Sequence, residues 1–68
     1  MSKQKDWMRV EFKALRMESK LSQKALAGLT GTGANTIYNF EEGKSSPSIK
    51  TVEKWLDELG YEIDMHPK

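Results

Sequence analysis

At 68 residues, with a formal net charge of +1 and no cysteine, the chain has room for one small domain with a modest core, and disulfides and thiolate metal sites are excluded. Its apolar runs are only a few residues long and Met1 to Asp6 lack the apolar core of a signal peptide, so it reads as a soluble protein suited to a reducing cytoplasm. Charge is unevenly spread: Lys3, Lys5, Arg9, Lys13, Arg16 and Lys20 outnumber Asp6, Glu11 and Glu18 at one end, while Glu53, Asp57, Glu58, Glu62 and Asp64 outnumber Lys54 and Lys68 at the other. A polyanion would therefore meet the amino-terminal part and the middle of the chain.

Asp6 can cap a first helix running through about Ser19, with Met8, Phe12 and Leu15 at the spacing of a buried stripe. Val10, Ala14 and Met17 form a second apolar stripe on nearly the opposite face, so this helix is expected to be covered from both sides, by its own domain and by a partner or the chain's tail. Ser22 can cap a second helix of about Gln23 to Leu29, with Leu26 and Leu29 facing inward and Ala25 and Ala27 allowing close approach of a neighbour.

Thr30-Gly31-Thr32-Gly33 then breaks the chain. Gly31 suits a positive φ after a helix, and Thr32 or Gly33 can cap the next one, about Ala34 to Glu41. In that third helix only Ile37 and Phe40 are strongly apolar, which leaves Ala34, Asn35, Thr36, Tyr38 and Asn39 for solvent or a ligand. Gly43 ends it. Ser46 or Ser48 can cap a fourth helix with Pro47 in its first turn, where Ile49, Val52, Leu56 and Leu59 form the inward stripe, flanked by Trp55, and Gly60 stops it.

Beyond Gly60 the period changes to two. Tyr61, Ile63 and Met65 alternate with Glu62, Asp64 and His66, the pattern of a strand with one apolar face. No other segment reads as its pairing partner, so the expectation is pairing with the same strand of a second subunit across a two-fold axis.

Leu15-Arg16, Leu21-Ser22-Gln23, Leu26-Ala27, Gly31, Thr36-Ile37, Glu41, Gly43 and Pro47 stand at an extended and fairly specific set of spacings. Through them residues from about 8 to 59 resemble the small phage-repressor helix-turn-helix domains of the Cro/C1-type, or XRE-like, family. The resemblance implies an all-α, lambda-repressor-like domain of four helices at 6–60, followed by a dimerisation tail at 61–66. Two steeply crossing helices joined by so short a turn need a glycine at Gly31 and a small residue, Ala27, where they touch.

In such domains the second of the two helices enters the major groove of double-stranded DNA. By position, the resemblance makes Ala34, Asn35 and Asn39 principal base contacts, with Thr36 and Tyr38 nearby. An Asn can pair with the N6 and N7 edge of adenine, an Ala can lie against a thymine methyl, and Tyr38 can reach a phosphate or stack on sugar. Ser22, Gln23 and Lys24 at the start of the second helix, and Lys44, Ser45 and Ser46 after the third, are the corresponding phosphate contacts, with Arg9, Lys13 and Lys20 as further basic candidates. The resemblance also implies an ion pair between Arg16 and Glu41, and a dimer interface is expected through Tyr61, Ile63 and Met65.

Three departures stand out. Thr32 occupies a position where an aliphatic residue is usual, and Gly33 one where a Ser or Thr cap is usual. The fifth helix that many phage repressors use to dimerise is missing after Gly60.

The function implied is a homodimeric repressor reading an inverted repeat, of the kind phages and mobile elements carry, anti-CRISPR-associated regulators included. It needs no cofactor. An enzyme fits poorly: there is one His and no Cys, the "GTG" of the turn lacks the strand and lysine of a phosphate-binding loop, and Asp64 with His66 is too sparse for a metal site. The alternative is an antitoxin-like or adaptor protein whose main partner is another protein, bound through Trp7, Trp55 and the apolar face of the tail.

Overall fold

Four helices carry the chain in the computed structural model, which describes residues 3–62 and the side chains of residues 7–62. They are α1 (Lys3–Glu18), α2 (Gln23–Thr30), α3 (Ala34–Glu41) and α4 (Ile49–Leu59). Asp6 is not the cap of α1 but lies within it, because Lys3, Gln4 and Lys5 are themselves good helix formers and the helix starts before Asp6. Ser22 caps α2, its hydroxyl accepting the Ala25 N–H at 3.0 Å, and Ser48 caps α4, accepting the Thr51 N–H at 3.3 Å. Ser48 has an extended backbone, so α4 begins only at Ile49 and Pro47 precedes the cap instead of entering the first turn.

All four helices end in the same way, in a residue of left-handed backbone: Lys20 (φ 60°), Gly31 (φ 73°), Gly43 (φ 77°) and Gly60 (φ 88°). The next N–H then turns back to a carbonyl five residues earlier: Leu21 to Arg16 at 3.4 Å, Thr32 to Ala27 at 3.1 Å, Lys44 to Asn39 at 2.8 Å and Tyr61 to Leu56 at 2.8 Å. These bonds satisfy carbonyls that a helix end otherwise leaves open, which is how the chain reverses within two or three residues. Only Lys20 does so with a Cβ.

Each helix contributes to one core: Phe12 and Leu15 from α1, Leu26 and Ala27 from α2, Ile37 and Phe40 from α3, and Val52, Trp55 and Leu56 from α4. Phe12, Phe40 and Trp55 form a triangle of tilted rings with centroids 5.4–5.7 Å apart, inside the range at which aromatic pairs attract. Trp55 is the centre of the core, not a flank, and its indole N–H donates to the Thr32 hydroxyl at 3.0 Å.

Three apolar residues face the other way from the sequence expectation. Leu29 is 58% exposed, because the inward side of α2 is the row Gln23, Leu26, Ala27, Thr30, and a residue two after Ala27 is turned about 160° from it. Ala25 is likewise exposed, so the close approach falls on Ala27 alone. Ile49 is 55% exposed, since α4 presents Val52, Trp55, Leu56 and Leu59 instead. On α1, Val10, Ala14 and Met17 are exposed as a row, with Trp7 above them.

No strand forms among the described residues. Tyr61, a single bridge residue, is half-buried and packs against the core of its own chain, while the remainder of the expected strand, including Ile63 and Met65, lies outside the described residues. Among the described residues no helix is long and apolar enough to cross a membrane.

Candidate nucleic-acid interface

Helix α3 is set by the turn before it. The left-handed Gly31 reverses the chain, and Gly33 is the N-cap of α3 with an extended backbone and no side chain to bond the free amides. From there the helix divides sharply. Ile37, Phe40 and Glu41 are buried, Ala34 and Asn39 are half-buried, and Asn35, Thr36 and Tyr38 are exposed. At about 100° per residue, Asn35 and Asn39 stand at the middle of the outward side, with Thr36 and Tyr38 towards its two edges.

A polar cluster anchors the far end of this helix. Arg16 Nε donates to Glu41 Oε2 at 2.6 Å and Arg16 Nη2 to Oε1 at 3.0 Å, a bidentate pair with both residues buried. Arg16 Nη1 donates to the Leu21 carbonyl at 2.7 Å, which ties the loop between α1 and α2 to the same guanidinium. Gln23 Nε2 donates to Glu41 Oε1 at 2.9 Å. Arg9 Nη1 donates to the Glu41 carbonyl at 3.1 Å, so this arginine turns inward to the last turn of α3.

Two of these partners were not apparent from the sequence. Arg9 stands seven residues before Arg16, two helical turns, so both lie on one side of α1; that spacing was the available signal. Gln23 belongs to the cluster as well as to the candidate phosphate contacts. A carboxylate only accepts, so Glu41 turns the amide nitrogen of Gln23 towards itself and leaves the second N–H of that nitrogen for another acceptor.

The remaining candidates lie at the surface. Ser22 and Lys24 are exposed at the start of α2, with the Ser22 hydroxyl engaged in its cap, and Lys44, Ser45 and Ser46 are exposed after α3. Lys44 Nζ lies 5.2 Å from the centroid of the Tyr38 ring. Lys13 and Lys20 are exposed. The fold therefore brings Gln23 against the end of α3, and Lys44 against its outward side. Trp55, which only the alternative of a protein partner would place on a binding surface, is wholly buried and unable to dock a partner. Among the described residues no group of three or more His, Cys, Asp or Glu could hold a metal ion, and Asp64 and His66 lie outside them.

A family model described as helix-turn-helix matches residues 12–65. Over 48 residues the chain is 44% identical to a candidate HTH-type transcriptional regulatory protein of Aeropyrum pernix, covering 71% of this chain and 15% of that protein. Over 49 residues it is 41% identical to the cryptic phage CTXphi transcriptional repressor RstR of Vibrio cholerae, covering 72% of this chain and 44% of that one. Over 51 residues it is 39% identical to the uncharacterized HTH-type transcriptional regulator y4mF of Sinorhizobium fredii, covering 75% of this chain and 67% of that one. The chain thus spans less than half the length of the first two. No solved structure gives a significant match. The names are those of transcriptional regulators, not of enzymes.

Proposed function

Because the chain belongs to the helix-turn-helix family, we propose that it is a sequence-specific DNA-binding transcriptional regulator that lays α3 in the major groove. The observation that carries this reading is the division of α3: a buried edge of Ile37, Phe40 and Glu41 behind an outward side of amides and hydroxyls with no core to serve. Polar side chains there suit base edges. Asn35 and Asn39 are the residues for adenine, Ala34 for a thymine methyl and Thr36 for a neighbouring base edge, with Tyr38 beside them at the rim of the set. Ser22, Gln23, Lys24, Lys44, Ser45 and Ser46 set the register by gripping phosphates on either side.

The working unit in this reading is a homodimer joined through the tail at 61–66, with Tyr61, Ile63 and Met65 at the contact. Two copies of α3 would then enter successive major grooves of an inverted repeat, ~34 Å apart. The simplest action is repression by occupying a promoter in the cytoplasm, the chain's own included, and the similarity to a protein named as a phage repressor supports that direction.

A footprint across the region upstream of the gene tests the reading. Protection of an inverted repeat that survives competitor DNA and weakens steeply with salt is expected, because phosphate neutralisation releases counterions. Absence of any protected repeat overturns it, and a monomer at micromolar concentration in the ultracentrifuge overturns the dimer.

A further inference from the structure

We propose that Tyr38 is a positioning residue and not a base reader: its ring holds the Lys44 ammonium at the edge of α3, where that ammonium grips one DNA phosphodiester. The proposal rests on the DNA-binding reading of α3. Tyr38 stands at the edge of the outward side of that helix, 41% exposed, and Asn35 and Asn39 occupy the middle. The ammonium lies 5.2 Å from its ring centroid, within the ~6 Å over which a ring face attracts a cation.

An exposed lysine on a flexible stem loses rotamer freedom when it binds, and holding it in place beforehand removes part of that cost. Here the placement has two further supports. The left-handed Gly43 turns the chain back on itself, and the Lys44 N–H donates to the Asn39 carbonyl at 2.8 Å, so the stem starts from a fixed point on the last turn of α3. That turn is braced from α1: a Cβ at Gly43 would lie 3.0 Å from Arg9 Nε, while Arg9 Nη1 holds the Glu41 carbonyl. One face of the ring is thereby committed to the ammonium.

The test is a double-mutant cycle on the full chain, with Tyr38→Phe, Tyr38→Leu, Lys44→Gln and Tyr38→Leu/Lys44→Gln titrated against a labelled mixed-sequence duplex and the upstream duplex at several salt concentrations. Lys44→Gln is expected to lower the log–log salt slope by about 0.9, the share of a single neutralised phosphate. Tyr38→Leu should weaken binding several-fold and reduce the slope in the same direction, and adding it to Lys44→Gln should cost almost nothing more. Tyr38→Phe keeps the ring and should keep the slope. Independent, multiplying effects of the two single variants overturn the proposal, as does a Tyr38→Leu protein with altered base preference at unchanged slope. A wild-type chain that binds neither duplex overturns the DNA-binding reading itself, a different result from either.

Discussion

The guanidinium of Arg16, in the last turn of α1, meets the carboxylate of Glu41, the last residue of α3, through two parallel hydrogen bonds of 2.6 and 3.0 Å in a buried setting. The outward helix is thus fastened to the body of the domain at its far end by charge, as Ile37 and Phe40 fasten it by packing. Removing one member of a buried pair leaves the other charge uncompensated and typically costs ~3–5 kcal/mol, a large part of the ~5–15 kcal/mol that holds a small domain together. Arg16→Ala should therefore abolish or severely lower the cooperative unfolding transition followed by circular dichroism. Arg16→Lys should not rescue it, because an ammonium cannot bond both carboxylate oxygens and the Leu21 carbonyl in the same planar geometry. The apolar pair Arg16→Met/Glu41→Leu should be more stable than Arg16→Ala.

Thr32 departs from an aliphatic pattern for a reason visible in the core: its hydroxyl accepts the indole N–H of the fully buried Trp55. Thr32→Val would strand that donor and should cost about 1–3 kcal/mol in a urea titration. With Trp55→Phe already in place the same change should cost much less. Equal costs in the two backgrounds would show that the bond carries no stability.

Lys20 is the one left-handed helix end without a glycine. A side chain in that conformation costs roughly 1–2 kcal/mol, and a glycine gives back about 0.4–1 kcal/mol through the freer unfolded chain. Lys20→Gly should then stabilise the domain by about 0.5–1 kcal/mol, a rise of a few degrees in melting temperature at this size. Gly31→Ala, placing a Cβ at φ 73°, should lower it.

Gly33 caps α3 with no side-chain hydrogen bond, at backbone angles any residue adopts, and a Cβ there would meet only Thr36 Oγ1 at an ordinary 3.7 Å. Gly33→Ser should fit, supply the missing acceptor and raise the melting temperature, the cap contributing a few tenths of a kcal/mol and the stiffer unfolded chain about 0.4–1 kcal/mol. A lower melting temperature would show that the turn resists the added side chain.

Asn35→Ala and Asn39→Ala should leave the unfolding transition close to wild type, since neither side chain belongs to the core. In competitive binding each should lose about 1–3 kcal/mol of discrimination at one base pair, with little change in affinity for mixed-sequence DNA. Lys24→Ala should do the reverse, weakening binding to all sequences alike.

Local features were legible in the sequence because their causes are local. Ser22 as a cap, Gly31, Gly43 and Gly60 as helix ends, and the limits of α3 follow from hydroxyl acceptors and positive φ, which act within a few residues, while the choice of Ser48 over Ser46 as the cap of α4 fell to the structure. Family spacing pointed to the Arg16 and Glu41 pair. What chain order could not decide was which side of a short helix meets its neighbours: apolar spacing allowed Leu29 and Ile49 inside and Trp55 at the margin, and the way the helices cross reversed all three. The same holds for Gln23 with Glu41, Arg9 with the end of α3, and Thr32 with Trp55, partners 18, 32 and 23 residues apart. Hydrogen bonds across such separations depend on angles and distances set by the whole packing, and those exist only once the core has closed.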